Sequence, residues 1–461
     1  MIASTSQNSH PKQVLVLGHD VRMVLPIVRS LGQRGIITDL GWCPDDSPAV
    51  HSRYVRYNHQ IPSPDLEDDS WIDILRALIR EHRYQLVIPA SESIVYFLQS
   101  ERAAFEEFKS VYLLNDAVFQ TAFDKTKCGD LADSLQIPIP QSQICKNTEE
   151  LNSFLKTVSY PLIIKPDCSV NLNNADKKNF VLTASSAADA KQLFQQMISS
   201  CSQIQMQETV SGIGVGLEFL ANQGELLVVH QHQRIHETSG HGSTYRSSVP
   251  VDSRFHEATA KIVKQLNYTG VGMAEFRVDY ETQEWWFLEL NARFWGSLPL
   301  AVAAGVDFPR YLFEMLVENR TQFDSRYQSG VRCRNIRNDL RWNRHWFLQF
   351  CNSQAVASAQ KQGWKTNSIS LKQYALDWLR MMTFRDYHDV FSIDDRAPAW
   401  CEARQIFKSF CRNLISKKEL KQSKDKNCPQ MILDVLPDYS SSSEGLVIEK
   451  QLFCEPHVNE I

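Results

Sequence analysis

Two runs of alternating residues near the middle of the chain constrain its fold more than any other feature. They cover residues 271–278 and 285–291, and the short polar connection between them predicts an antiparallel β-hairpin. Because successive side chains point to opposite faces of a strand, Glu275 and Glu289 are expected to lie directly opposite each other on one face. Two facing carboxylates destabilise a sheet unless something neutralises them. The hairpin therefore needs a cation on this face.

A bound divalent metal is one way to supply that cation. Mg²⁺ takes oxygen ligands, usually one or two carboxylates together with phosphate oxygens and water. Asn291 shares the face of Glu289, so its amide oxygen completes such a set. The alternative is a surface hairpin whose charges pair with Arg277 and Arg293. Alternation alone leaves these two interpretations balanced.

The N-terminal part of the chain has the pattern of a parallel sheet. A buried strand at 13–18, a helical pattern at 21–31 and a second strand at 36–40 follow one another in under 30 residues. A further helix at 72–79 and a short strand at 86–89 extend the pattern. Residues 12–115 are therefore predicted to form a small doubly wound α/β domain. Its first strand is not followed by a GxGxxG fingerprint, so no dinucleotide site is predicted there.

The middle of the chain mixes strands and helices. Predicted strands with charged or polar ends include 160–166, which carries Lys165, and 203–208. Residues 239–248 are polar and contain glycine, which is typical of a loop. The other predicted elements are a connecting helix at 124–141, a helix at 187–199, a hairpin of 215–220 with 225–232, a helix at 255–266 and an apolar helix from about Pro299.

The bulk composition excludes several classes of protein. The formal net charge of -4 over 461 residues gives no electrostatic indication of nucleic acid or of an anionic membrane. No apolar run approaches the roughly 20 residues that span a bilayer. The 11 cysteines include no CxxC pair, so neither a zinc site nor a disulfide framework is indicated. A reducing, cytoplasmic location is the prediction.

Three segments around the hairpin carry a family resemblance. They are GVGMAEFRVD at 270–279, FLELNARFWGS at 287–297 and AAGVD at 303–307. Together they resemble the ATP-grasp superfamily, and most closely the branch similar to carbamoyl-phosphate synthase and the carboxylate–amine ligases. The resemblance extends over about residues 13–320.

The resemblance implies an α/β plus α+β architecture. Its expected parts are a pre-ATP-grasp domain at 1–115, an ATP-grasp domain at 116–325 and a mainly helical C-terminal extension at 326–461. The ATP-grasp domain is expected to divide into a lid-like subdomain at about 140–210 and an antiparallel metal-binding sheet at about 211–325. The last 40 or so residues are predicted to be partly disordered.

The resemblance also implies roles for individual residues. Glu275, Glu289 and Asn291 match the ligands of two Mg²⁺ ions, with Mn²⁺ as a substitute. Arg293 matches an arginine that contacts the transferred phosphate, and Lys165 and Lys125 match lysines that contact the ATP phosphates. The residues that match the strand beside adenine are Gln207, Glu208 and Val210, with contacts mostly through backbone groups.

One departure from the family concerns the phosphate loop. Many members have a glycine-rich loop directly after the position of Lys165, but residues 167–174 contain no glycine. Asparagines in this stretch tolerate left-handed backbone, so the loop either still turns over the phosphates or is a plain insertion. The glycine-containing stretch 240–246 is a second candidate for closing over ATP. Ser91 and Glu92, after the strand at 86–89, either line a cleft or cap a helix.

The function that the resemblance implies is an ATP-dependent carboxylate–amine ligase. The γ-phosphate of ATP would pass to a carboxylate, and an amine would then displace phosphate from the acylphosphate. One alternative is an enzyme that forms carboxyphosphate or carbamate, and another is a nucleotide-binding regulatory protein without catalysis. The expected partners are small-molecule carboxylates and amines, without nucleic acid or membrane, and a homodimer stays open.

Overall fold

The protein is described here from a computed structural model, which describes residues 11–64, 69–166, 181–198, 203–238, 242–351, 371–383 and 385–423. The α-helices are α1 Val21–Gly32, α2 Ser70–His82, α3 Glu92–Ser100, α4 Arg102–Phe105, α5 Asp116–Ala122, α6 Lys125–Ser134, α7 Thr148–Phe154, α8 Ala187–Ile198, α9 Ser253–Gln265, α10 Leu298–Ala304, α11 Phe308–Glu318, α12 Ile336–Cys351, α13 Leu371–Met382 and α14 Ala397–Ser423. The strands are β1 Gln13–Leu17, β2 Ile37–Gly41, β3 Val55–His59, β4 Leu86–Pro89, β5 Ser142–Cys145, β6 Leu162–Pro166, β7 Leu182–Ala184, β8 Ile204–Glu208, β9 Ile213–Asn222, β10 Glu225–Thr238, β11 Gly242–Val249, β12 Gly270–Val278, β13 Trp285–Asn291, β14 Arg332–Arg334 and β15 Tyr387–His388.

The N-terminal strands form a four-stranded parallel sheet in the order β3-β2-β1-β4. Strand β1 is buried on both faces, as an apolar run predicts for a parallel sheet. Val14 and Val16 pack into one hydrophobic cluster with α1, whereas Leu15 and Leu17 pack into another with α2 and α3. The doubly wound α/β fold is therefore confirmed, with β3 as a strand that the sequence pattern did not predict.

A second, smaller sheet is antiparallel and has the order β5-β8-β6-β7. Alternate residues of β6 and β8, among them Leu162 and Ile164, are buried against α7 and α8. The side chains between them point to the opposite face, which places Lys165 beside Gln205 in the ladder. The connecting segment predicted as a helix within 124–141 is helical over 125–134, turns at 135–136 and has no regular secondary structure from 137 to 141.

The largest sheet has seven strands in the order β13-β12-β9-β10-β11-β14-β15. Its β9–β10 and β12–β13 hairpins were predicted. Residues 239–248 were predicted as a polar loop, but from residue 242 onwards they belong to β11. That prediction was wrong because β11 gains its hydrogen bonds from β10 and β14, and this pairing outweighs the loop-like composition. Tyr245 and Arg246 of β11 are buried there.

The start of β12 is tied to the N-terminal domain by a close approach. Gly270 has a φ of +124°, and a Cβ at this position would lie 1.8 Å from the Tyr112 hydroxyl oxygen. That hydroxyl accepts a hydrogen bond from the backbone N–H of Val271 at 3.2 Å. A side chain other than hydrogen does not fit at residue 270.

The region after residue 326 is largely helical but also extends the large sheet through β14 and β15. Buried ion pairs join it to the sheet. Arg334 Nη1 lies 2.6 Å from Asp339 Oδ2, and Arg334 Nε lies 2.8 Å from Asp386 Oδ2. His236 of β10 pairs with Asp339 at 2.7 Å. The domain boundaries themselves stay a prediction.

Two predictions remain, one on the C-terminal tail and one on membrane-spanning helices. The tail after residue 423, predicted to be partly disordered, lies outside the described residues. Among the helices that the structure describes, none is long and apolar enough to cross a membrane.

Candidate functional site

The hairpin of β12 and β13 has the register that alternation predicted. Glu275 pairs with Glu289, and Asn291 pairs with Met273. The alternate side chains Ala274 and Leu290 are buried in the core. The carboxylates and the amide are thereby held on the opposite face, which confirms the predicted geometry.

The two carboxylates of this face are neutralised differently. Glu275 Oε1 lies 2.7 Å from Arg234 Nη2, an arginine of β10. Glu289 forms no ion pair within the described part of the chain, and its Oε1 accepts a hydrogen bond from Asn291 Nδ2 at 3.1 Å. The surface-hairpin alternative required pairing with Arg277 and Arg293, and neither arginine contacts these carboxylates. Arg277 instead pairs with Glu237 at 2.6 Å.

Arg293 lies just beyond the end of β13 and connects the hairpin to the N-terminal domain. Its Nη2 donates to Asn291 Oδ1 at 2.9 Å and to Glu92 Oε2 at 2.7 Å. Glu92 is the first residue of α3, and Ser91 before it makes no side-chain capping bond. Of the two interpretations of Glu92, the structure favours the cleft residue.

The facing wall of the site comes from the small antiparallel sheet. Lys165 Nζ donates to Gln207 Oε1 at 2.9 Å, and Lys125 Nζ donates to the Pro166 carbonyl oxygen at 3.1 Å. Burial lowers the pKa of the Lys165 ammonium group, and the nearby Lys125 lowers it further, whereas Glu289 and Glu275 partly counteract both. Lys165 belongs to β6 of this sheet and Lys125 begins α6, and both lysines line the same cleft as Glu289.

A cleft runs between this sheet and β13. Its lining brings together five of the predicted site residues, which are Lys125, Lys165, Gln207, Glu289 and Asn291. The lining also contains Glu92, Cys128 and apolar side chains such as Phe287 and Ile139. An apolar wall beside a charged end suits a ligand with an aromatic base and phosphates.

The remaining predicted residues are not among those that line the cleft. Glu275 and Arg293 lie next to its charged end through the contacts already given. Glu208 ends β8, and its backbone N–H donates to the Gln141 carbonyl oxygen at 2.9 Å, while Val210 follows the strand. Their role beside adenine stays a prediction.

Residues 167–174 and 240–246 are the two predicted candidates for closing over the phosphates. The glycine-free stretch 167–174 lies outside the described residues, as do residues 239–241. The rest of the second candidate belongs to β11, where Arg246 is buried and ion-paired with Asp389. Residues 242–246 are therefore sheet and not a closing loop, because pairing on both edges fixes them.

Sequence reasoning missed Arg234. The sequence pattern predicts a strand that ends at residue 232 and assigns no role to this arginine. The available signal was its position two residues after His232, on the same face of β10, together with Gly214 and Gly216 on β9. Because residues 214 and 216 of β9 have no side chain, an arginine of β10 can reach across this strand to β12.

Glu275, Glu289 and Asn291 are the candidate ligands for a divalent metal. In the described ranges, no group of three or more His, Cys, Asp or Glu residues is placed to hold a metal alone. Two carboxylates and one amide oxygen leave ligand positions open, which is the pattern in which Mg²⁺ binds together with phosphate oxygens and water. Glu289, on the cleft wall without an ion pair, supplies the charge. The residues therefore fit Mg²⁺ held jointly with a nucleotide.

Comparisons with known proteins agree with this geometry. Residues 251–313 match the family model described as the carbamoyl-phosphate synthase L chain, ATP binding domain. No curated protein sequence matches the chain. The matched residues span α9, the β12–β13 hairpin and the start of the helices after it.

Several solved structures share the fold at low sequence identity. A biotin carboxylase from Campylobacter jejuni has a TM-score of 0.57 at 15% identity, covering 70% of this chain and 74% of its own. An L-amino acid ligase from Bacillus licheniformis has a TM-score of 0.54 at 14% identity, with 70% and 79% covered. N5-carboxyaminoimidazole synthetase from Staphylococcus aureus, complexed with ADP, has a TM-score of 0.53 at 13% identity, with 68% and 78% covered.

Proposed function

We propose that this chain is a member of the ATP-grasp superfamily and acts as an ATP-dependent carboxylate–amine ligase, on the strength of its fold and of the family model that matches residues 251–313. It activates a small-molecule carboxylate as an acylphosphate and joins it to an amine, releasing ADP and phosphate. One observation carries the proposal. One cleft is lined by two lysines, Lys125 and Lys165, together with Glu289 and Asn291 of the hairpin.

The wall residues bind and orient ATP. Gln207, Glu208 and Val210 border the adenine end, where mostly backbone groups contact the base. Lys165 and Lys125 hold the phosphate chain as point charges. Glu275, Glu289 and Asn291 would hold Mg²⁺, which neutralises charge on the phosphates when bound. Phosphoryl transfer depends chiefly on such positioning and neutralisation and needs no nucleophilic side chain.

The bond changes balance without a protein nucleophile. A carboxylate oxygen of the substrate forms a bond to the γ-phosphorus as the bond to the ADP oxygen breaks. The amine nitrogen then bonds to the acyl carbon, phosphate leaves, and the nitrogen loses a proton to the surroundings. Arg293, held by Asn291 and Glu92, stabilises the charge on the transferred phosphoryl group.

A carboxyphosphate-forming enzyme is the second candidate. One structure with the same fold is described as the biotin carboxylase domain dimer of 2-oxoglutarate carboxylase from Hydrogenobacter thermophilus, in complex with MgADP, ADP and bicarbonate. It has a TM-score of 0.56 at 14% identity, covering 70% of this chain and 74% of its own. Bicarbonate would then take the place of the organic acid in the first step.

A screen for ADP release tests the proposal and separates the candidates. Purified protein with ATP and Mg²⁺ is offered amino acids, other organic acids and bicarbonate, each with and without a panel of amines. We expect release that needs both an organic acid and an amine. Release with bicarbonate alone supports the second candidate. Tight binding of MgATP without turnover for any pair refutes both and supports a regulatory protein.

A further inference from the structure

Arg234 forms an ion pair that conflicts with the proposed role of its partner. Its Nη2 lies 2.7 Å from Glu275 Oε1, and both side chains are only 14% exposed. Among the described residues, Arg234 Nε has no hydrogen-bond partner. A buried guanidinium has five N–H donors in a planar fork, so this one retains capacity to bind an anion.

Strand β9 has glycine at the two positions that face Arg234 and His232. A Cβ at Gly214 would lie 2.6 Å from the Arg234 Cδ atom, and one at Gly216 would lie 2.4 Å from the His232 ring. Both glycines belong to β9, which separates β10 from the carboxylate-bearing β12. The side chain of Arg234 therefore lies across β9, on the side of Glu275 away from β13. If Glu275 holds the metal that binds the γ-phosphate, as in the proposed function, the attacking carboxylate approaches beside Glu275.

The charges change when a metal binds, and this step rests on the proposed function. Glu275 neutralises Arg234 in the present arrangement. A divalent cation that takes the Glu275 oxygens as ligands removes the ion-pair partner of Arg234 and adds a second positive centre beside it. The other carboxylate close to Arg234, Glu237, is already paired with Arg277. A buried charge that loses its partner is strongly disfavoured, so an anion that pairs with Arg234 becomes favourable. The anion that the reaction supplies at this place is the substrate carboxylate.

We propose that Arg234 binds the substrate carboxylate. Glu275 pairs with Arg234 until metal and nucleotide bind, and the guanidinium then pairs with the acid instead. Its planar fork matches a carboxylate with two parallel hydrogen bonds. Binding of metal and nucleotide promotes binding of the acid, because the metal takes Glu275 and leaves Arg234 without its partner. Binding of the acid promotes binding of metal and nucleotide in the same way, because the acid pairs with Arg234 and leaves Glu275 free for the metal. Reciprocal coupling of this kind is a property of binding free energies and is measurable without turnover.

The first test measures binding of Mn²⁺ and ADP by calorimetry. Arg234→Met removes the competitor for Glu275, and we expect it to tighten Mn²⁺·ADP binding about fivefold, at the low end of typical coupling factors. Arg277→Met is the matched control, since Arg277 lies on the same face but pairs with Glu237 at 2.6 Å. It should leave the affinity unchanged. Equal affinities of the Arg234 variant and wild type overturn the inference.

The second test uses acetate as the smallest carboxylate probe, with chloride at the same ionic strength as reference. Acetate should tighten Mn²⁺·ADP binding to the wild type and to Arg277→Met about threefold, a modest coupling. It should have no effect on Arg234→Met. An absent acetate effect in the wild type, or an equal effect in Arg234→Met, refutes the proposed role of Arg234. Failure of the wild type to bind Mn²⁺·ADP at all instead refutes the proposed function.

Discussion

Replacing the buried carboxylate of Glu218 by an amide is predicted to destabilise the seven-stranded sheet. Glu218 lies at the centre of β9, and its Oε2 contacts His230 Nδ1 at 2.9 Å. Its Oε1 contacts His232 Nδ1 and accepts a hydrogen bond from Ser297 Oγ at 3.0 Å. Burial opposes ionisation, but the His232 and His230 imidazoles outweigh it and lower the pKa of the Glu218 carboxyl to about 2.

The size of the effect follows from that pKa. A carboxyl whose pKa falls from 4.5 to about 2 on folding contributes about 3 kcal/mol of stability at neutral pH. Because the folded-state pKa is the lower one, this contribution is present above pH 4.5 and is lost as the pH falls towards 2. Glu218→Gln should therefore lower the free energy of unfolding by about 3 kcal/mol at pH 7. The difference from wild type should shrink below pH 4.5.

Urea unfolding followed by circular dichroism at pH 7 and at pH 3.5 measures this difference. Glu225→Gln is the control, because Glu225 is an exposed residue at the start of β10. It should change the unfolding free energy by less than about 0.5 kcal/mol. A Glu218 variant as stable as the Glu225 variant at pH 7, or a difference that grows in acid, would refute the reasoning.

Two further predictions concern the cleft and the start of β12. Lys165→Met should lower the turnover of any substrate pair about 10²- to 10³-fold, because a positive charge beside the phosphates is lost. Lys127→Met is the control and should leave turnover unchanged, because Lys127 is exposed. Similar rates for both variants in the ADP-release assay would contradict the role of Lys165. Gly270→Ala should destabilise the protein by about 3 kcal/mol, since its Cβ meets the Tyr112 hydroxyl and its φ is positive. Gly35 also has a positive φ, but no atom lies within 4 Å of the Cβ that an alanine would add. Gly35→Ala should therefore lower the free energy of unfolding by only about 1 kcal/mol. Equal shifts in melting temperature for the two glycine variants would rule out the steric argument.

The parts of the site that strand periodicity controls could be predicted from the sequence. Glu275 faces Glu289 because a short connection fixes the register of the hairpin and side chains alternate along both strands. The same period places Lys165 and Gln207 on one face of the small sheet. These relations need only local geometry and the hydrophobic pattern.

The parts that depend on contacts between distant segments could not be predicted in this way. Residues 242–249 have a loop-like composition and become a strand because β10 and β14 pair with both edges. Arg234 reaches Glu275 only because β9, which lies between them, has glycines at 214 and 216. Glu92 meets Arg293 through the packing of the N-terminal domain against the hairpin, a contact 201 residues apart in sequence.

Calorimetric titration of MgADP tests most directly whether the β12–β13 hairpin holds the metal and nucleotide. Wild type should bind, and Glu289→Gln should bind about 100-fold more weakly, which corresponds to about 2.7 kcal/mol. Glu284→Gln is the control, because Glu284 is exposed in the connection of the same hairpin, and it should bind as the wild type does. Wild-type affinity in Glu289→Gln would contradict the assignment of the metal site.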